Sequence, residues 1–259
     1  MKLISAILVM VIPTCAIAQN NTLRSGVYSA DKIENISVGV GKQAIIKGET
    51  LDLKTLYIYT ITLNEGKTYT PSVNNYLEQL IVIKTGTVQL KLKDTMQTIG
   101  PGSIALILPR DQISFKNLTD KPVTWFVLNY RSVNPVNVQR GRDAGPSFIK
   151  NWDELKVNRS VKGESRSLFD RPTSMFQRFE VHATALNPGY ARHDPHTHRV
   201  EEIILMLNGD VSETIAQDKF KATAGDCIYL ASGILHGPKN TFNKQCYYLA
   251  IQWHNLKTD

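Results

Sequence analysis

The chain has 259 residues, 42% of them hydrophobic, and a formal net charge of +7. That length supports one large or two modest domains with real cores, and the composition excludes a generally disordered chain. The basic residues are scattered, with no Lys/Arg block and no aromatic–basic ladder, which points to a solvated surface and away from nucleic-acid binding.

The chain opens with Met1-Lys2, an apolar run from Leu3 to Ile12, and Ala16-Ile17-Ala18. A charged start, a short apolar segment and a small-x-small site predict a secretory signal peptide over 1–18, cut after Ala18. The run is too short for a permanent membrane helix. The expectation is a secreted or periplasmic protein with no membrane association once the signal is removed. Cys15 lacks the small preceding residue of a lipidated cysteine, so the mature chain keeps Cys227 and Cys246.

The mature chain is one unit written twice. Leu63-Asn64-Glu65-Gly66 reappears as Leu186-Asn187-Pro188-Gly189, Gly86 as Gly209, Gly102 as Gly225, Asn117 as Asn240 and Lys121 as Lys244, always 123 positions on. A single offset without gaps indicates internal duplication. Both copies read as short β-branched and aromatic strands between turn residues, clearest at 57–63, 79–83, 88–92, 103–108 and 123–130, which predicts an all-β chain of two sandwiches or barrels. The first would span 19–131, a connection 132–171, and the second 172–259. In the connection, Phe148, Trp152 and Leu155 fall at i, i+4 and i+7, which predicts a short amphipathic helix against a barrel. Cys227 and Cys246 match Ile104 and Val123, so both are expected as buried thiols.

The chemistry gathers between Gly189 and Gly209. His196 and His198 are two apart, so on an extended segment both rings share a face, and Glu202 stands four residues later. His236 lies in the second half of the same copy. Three neutral imidazoles and a carboxylate suit a divalent transition metal (Mn, Fe, Ni, Cu or Zn) and leave coordination positions open for chemistry. At the same offset the first copy has Val73, Asn75, Gln79 and Ile113, and all six histidines lie in the second copy. One metal site is therefore expected. Glu180, His182 and His193 are further candidates for acid–base work, His182 sharing a strand face with Glu180. Glu201 matches Glu78 and alternates to the opposite face from Glu202, which suggests a shared structural role; a later strand start would make Glu201 the ligand instead.

Gly189, the His-x-His pair, Glu202 and Gly209, with Gly225, Gly233, His236 and Asn240 after them, resemble the two motifs of the cupins. Six residues rather than five separate Gly189 from His196, and Ala231 stands where the second motif usually has Pro. The resemblance implies two tandem jelly-roll barrels, a bicupin, with metal held by His196, His198, Glu202 and His236, manganese or iron favoured. It also implies a small-molecule ligand or substrate and a homodimer formed through sheet faces. Duplicated cupins with one metal-bearing C-terminal barrel resemble ureidoglycine aminohydrolases, whose ligand order begins with a carboxylate and ends in Gln. The order His, His, Glu, His is nearer the general germin-like arrangement. The expected function is an exported metalloenzyme, an oxidoreductase, hydrolase or isomerase acting on a small polar, oxygen-rich metabolite. The alternative is a non-catalytic, metal-dependent protein that binds a small molecule or carbohydrate.

Overall fold

The computed structural model describes residues 22–255, so the predicted signal peptide lies outside the described residues. The first copy contains β1 (Gly26–Tyr28), β2 (Glu34–Ser37), β3 (Val40–Gly48), β4 (Leu53–Leu63), β5 (Thr68–Tyr69), β6 (Glu78–Thr85), β7 (Val88–Leu92), β8 (Thr95–Ile99), β9 (Ile104–Ile107), β10 (Ile113–Lys116) and β11 (Val123–Ser132). After α1 (Val138–Asp143) come β12 (Phe148–Lys150), a 3-10 turn (Trp152–Glu154), β13 (Asn158–Ser160), β14 (Gly163–Arg171), β15 (Arg178–Leu186), β16 (Glu201–Asn208), β17 (Asp210–Ile215), β18 (Asp218–Thr223), β19 (Cys227–Leu230), β20 (His236–Lys239) and β21 (Cys246–His254). The chain is all-β, folded as two tandem jelly-roll barrels.

Each barrel sets a seven-stranded sheet on a smaller one. In the first, β12-β9-β6-β11-β4-β3-β2 faces β5-β10-β7-β8; in the second, β1-β19-β16-β21-β15-β14-β13 faces β18-β17-β20. Strand alternation then makes three cores. Ile81, Ile83, Phe115 and Trp125 fill the first barrel, and Ile204, Met206, Ile228 and Tyr248 fill the second. The opposite faces of the two large sheets, carrying Leu80, Val82, Phe126, Ile203, Leu205 and Phe179, close on each other in a shared core. This is why β16 reads as an unbroken buried run, EEIILM: one face looks into its barrel and the other into the seam. At the turns after β6 and β16, Gly86 and Gly209 take the left-handed conformation (φ 76 and 71). A Cβ on Gly209 would also stand 2.9 Å from the Cys246 backbone.

The domain boundaries differ from those expected from sequence. β1 pairs with β19 of the second barrel (Val27↔Ile228), and β12 pairs in the corresponding way with β9 of the first (Ile149↔Ala105). Each copy thus lends its leading arm to its sister's sheet. β13 and β14, placed in the connection by sequence, belong to the second barrel's large sheet. The expected helix over Phe148, Trp152 and Leu155 is also corrected. Phe148 lies in an edge strand because free ladder positions on β9 bind its backbone, while all three side chains still pack on the shared core. The helical part of the connection is α1, capped by the Asn137 side chain accepting from Arg140 N. Cys227 and Cys246 are buried free thiols, as expected.

Two buried glutamates bolt the seam with near two-fold symmetry. Glu201 of β16 accepts from Thr50 Oγ1 (2.6 Å), Leu51 N (3.2 Å) and Asp52 N (3.1 Å) in the first barrel, and from Tyr229 OH (2.5 Å) and Trp253 Nε1 (3.2 Å) in its own. Glu78 of β6 accepts from Ser174 N (2.6 Å) in the second barrel, 123 positions from Leu51. Its other oxygen has no partner, and burial pushes the carboxyl up to about 7, against the Thr173 and Ser174 contacts that lower it. The folded-state value lies above the ordinary 4.5, so the stabilisation by neutral Glu78 is complete below pH 4.5 and lost as pH rises through about 7. Urea denaturation at pH 5 and pH 8 is expected to show the wild type losing stability relative to Glu78→Gln on going up; a pH-independent gap would contradict this.

Candidate metal centre

Three separate pieces of backbone deliver the candidate ligands to one end of the second barrel. His196 and His198 lie in the loop before β16, not on a strand as the sequence suggested. A two-residue bridge fixes that loop: His196 N donates to His236 O (2.9 Å) and His236 N to His196 O (3.0 Å). His236 opens β20, and the bare Cα of Gly237 lets Pro195 lie against it, since a Cβ there would be 2.9 Å from Pro195 Cα. Glu202 is the second residue of β16. Its parity with Ile204 turns it into the barrel while Glu201, with Ile203, turns to the seam, as alternation required.

The ligand atoms of His196, His198 and His236 lie within 4.8 Å of one another. Glu202 Oε2 stands 3.3 Å from His198 Nε2 and 3.4 Å from His236 Nε2. Nitrogens and oxygens about 2.1 Å from one ion are separated by roughly 3.0–3.4 Å at octahedral to tetrahedral angles. Glu202 stands at that spacing from both His198 and His236. His196, partly exposed, keeps its ligand atom within 4.8 Å of those of the other two histidines.

Hydrogen bonding sets the tautomers. His198 Nδ1 faces Val200 O (2.8 Å) and His236 Nδ1 faces Ile234 O (2.9 Å), so each Nδ1 carries the proton and each Nε2 presents its lone pair. Those two Nε2 atoms and His196 Nδ1 are buried without a well-formed hydrogen bond, a condition that costs free energy unless something else binds them. Gln252 of β21 donates to Glu202 Oε2 (3.1 Å). Burial alone would raise the Glu202 carboxyl, but the facing imidazoles of His198 and His236 and the Gln252 amide outweigh it and bring it down to about 2. The Glu202 carboxylate raises His198 against the effect of burial. Burial, with help from neighbouring histidines, lowers His196 and keeps it neutral. The donor set is therefore one anion and three imidazoles, and it fits a divalent transition metal.

The group opens on a cavity of about 190 Å³ whose wall includes His182, Arg192, His193, Tyr248 and Gln252. Two of the three acid–base candidates, His182 and His193, reach this wall. The His193 ring stands edge-on to His196 with centroids 4.1 Å apart. Glu180 is behind it: Oε1 faces His182 Nδ1 at 3.4 Å and Oε2 is held by Arg178 at 2.5 Å. Sequence reasoning missed Arg192, Tyr248 and Gln252. Gln252 had a signal, an amide at an inward position of β21 matched by Asn129 in the first copy.

In the first barrel the same place is filled. At the repeat offset His236 becomes Ile113, Pro238 becomes Phe115, Tyr248 becomes Trp125, Arg192 becomes Tyr69 and Thr184 becomes Ile61. Phe115 and Trp125 stack with centroids 4.3 Å apart, and Tyr69 lies 6.2 Å from Trp125. Only the amide pair survives, Gln79 Nε2 donating to Asn129 Oδ1 (2.9 Å) where Gln252 meets Glu202.

Residues 183–252, which hold all four candidate ligands, match the family model for a cupin domain, and residues 65–135 match that for an AraC-like ligand binding domain. No curated protein sequence matches the chain. Among solved structures the chain is similar to AerE from Microcystis aeruginosa (TM-score 0.66, 16% identity, covering 87% of this chain and 98% of that one). It is also similar to oxalate decarboxylase from Lactobacillus farciminis in a formate complex (TM-score 0.70, 12% identity, 90% and 87%). A third is a Cupin 2 conserved barrel domain protein from Leptotrichia buccalis (TM-score 0.57, 14% identity, 85% and 92%). At these identities the likeness is one of fold.

Proposed function

The chain belongs to the cupin superfamily as a two-barrel member, and from this we propose that it is an exported enzyme that acts on a small, polar, oxygen-rich metabolite at one divalent transition metal held by His196, His198, Glu202 and His236. The observation that carries the reading is the pairing of an inward-facing 3-His/1-Glu group with a small polar cavity on its open side. Similarity in fold to an oxalate decarboxylase crystallised with formate is in keeping with a small oxygen-rich ligand. The N-terminal Met1–Ala18 pattern supports export.

When bound, the metal would supply Lewis acidity or activation of O₂. The protein's own residues divide the remaining work. Glu202 neutralises half of the ion's charge, and Gln252 fixes the direction of its Oε2. His198 and His236 are locked in one tautomer by backbone carbonyls. Arg192 gives the wall a cation for an anionic or carbonyl oxygen of the substrate. His182, with Nδ1 facing Glu180, is left with Nε2 for the cavity it lines, and is placed to take or give a proton there. About 190 Å³ admits a molecule of only a few carbon atoms with its hydration replaced by these groups.

The test is a turnover assay of mature protein loaded in turn with manganese, iron and zinc, against small hydroxy- and dicarboxylic acids, short sugars and ureides. Turnover that needs both metal and His182 is expected. Metal-dependent thermal stabilisation by one of these compounds without any product would instead establish a binding protein.

A further inference from the structure

The second barrel buries a carboxyl group that the fold does not need. Glu213 lies at the middle of β17 between Val211 and Ile215, all three turned inward, and it is fully buried. Oε1 accepts from Gly237 N at 2.8 Å. Oε2 has no hydrogen-bond partner. Burying a polar atom in this way costs free energy that the fold must recover elsewhere. The sister barrel shows what the fold does with the same position when no ligands are present: 123 positions back stands Leu90, fully buried on β7. The carboxyl therefore occurs in the barrel that carries the histidines, and a hydrocarbon occupies its place in the barrel that does not.

The atom it holds explains why. Gly237 comes directly after His236, faces Pro195 across its missing Cβ, and sits beside the His196–His236 bridge. The Gly237 amide is thus the point where β17, β20 and the loop carrying His196 and His198 meet. We propose that Glu213 is a positioning residue of the metal centre: by accepting from Gly237 N it fixes the peptide next to His236 against the His196 loop, and so holds two ligands from different segments at coordinating distance. The inference rests on the metal reading above.

Burial, together with the nearby charge of Glu202, pushes the Glu213 carboxyl up to about 8, despite the Gly237 amide. At neutral pH it is largely a neutral acid whose carbonyl oxygen accepts from the amide. A Gln side chain reproduces that acceptor, and a Leu side chain reproduces the sister barrel.

The experiment compares wild type, Glu213→Leu and Glu213→Gln in the mature full-length chain, with Co(II) alone as the probe. Co(II) affinity is read by chelator competition, its d–d absorption reports ligand geometry, and thermal unfolding is measured without metal. Glu213→Leu is expected to bind Co(II) at least tenfold more weakly with an altered d–d spectrum, while its metal-free form melts at the wild-type temperature or above. Glu213→Gln is expected to keep affinity within about threefold and to keep the spectrum. A residue with only a structural role would lower both melting temperature and affinity together in Glu213→Leu, and that result would overturn the inference. So would a Leu variant that fails to fold, one with wild-type affinity and spectrum, or a Gln variant as impaired as the Leu variant. Failure of the wild type itself to bind Co(II) would overturn the metal reading and this inference with it, which separates the two failures.

Discussion

Glu201→Ala is expected to destabilise the protein by about 3–5 kcal/mol, the range seen when one partner of a buried charge-type network is removed. The carboxyl group is fully buried and takes five donors: Thr50, Leu51 and Asp52 from the first barrel, Tyr229 and Trp253 from the second. Truncation leaves all five without their acceptor, and each unsatisfied buried donor carries a penalty of about 1–3 kcal/mol before relaxation. Because three donors belong to one barrel and two to the other, the loss falls on the seam. Urea denaturation monitored by tryptophan fluorescence should show a lower midpoint and, as the barrels uncouple, a broader transition. Glu201→Gln keeps one acceptor and should lie between the wild type and the Ala variant. A loss under about 1 kcal/mol for Glu201→Ala would mean that the shared apolar core alone holds the barrels together.

The second large effect concerns turnover. His182→Gln is expected to lower kcat by about 10²–10⁴, the usual range for removing a positioned general acid or base, without loss of metal. His182 lines the cavity but stands apart from the His196–His198–His236 group, and its Nδ1 faces Glu180 at 3.4 Å. Glu180→Gln should give a smaller loss of the same kind, since it keeps the ring's neighbour but weakens its hold on the Nδ1 proton. Metal content by elemental analysis separates this from a collapsed site: one equivalent retained with kcat reduced is the expected result. Wild-type kcat in His182→Gln would remove His182 from the mechanism and leave His193, the other imidazole on the wall, to be tested.

How legible the molecule was depended on whether the signal was local. Strand alternation set Glu201 and Glu202 on opposite faces, because one residue's step along a strand reverses the side chain whatever the tertiary context. Which of the two faced the barrel depended on where the strand begins, and that Glu201's face is the seam showed only in the structure. The repeat offset exposed the fold, the pairing of Glu201 with Glu78, and the absence of histidines from the first copy. The exchanged arms were not legible. β1 and β12 are three residues each, and nothing in Gly26–Tyr28 or Phe148–Lys150 says which of two similar sheets they will join. The helix expected across Phe148, Trp152 and Leu155 failed for a related reason: their spacing recorded burial against the shared core, and an edge strand with a 3-10 turn after it satisfies the same burial. Gln252 and Glu213 escaped notice because single polar residues in apolar strands show their role only when their partners, Glu202 and Gly237, arrive from other strands.

The most direct test of the metal centre is stoichiometry. The protein, purified without chelators or a histidine tag, should carry about one equivalent of a single divalent transition metal by elemental mass spectrometry, and His196→Ala/His198→Ala should carry none. No stoichiometric metal in the wild type, even after reconstitution with manganese, iron and zinc, or equal metal in both proteins, would contradict the placement of the centre on these histidines.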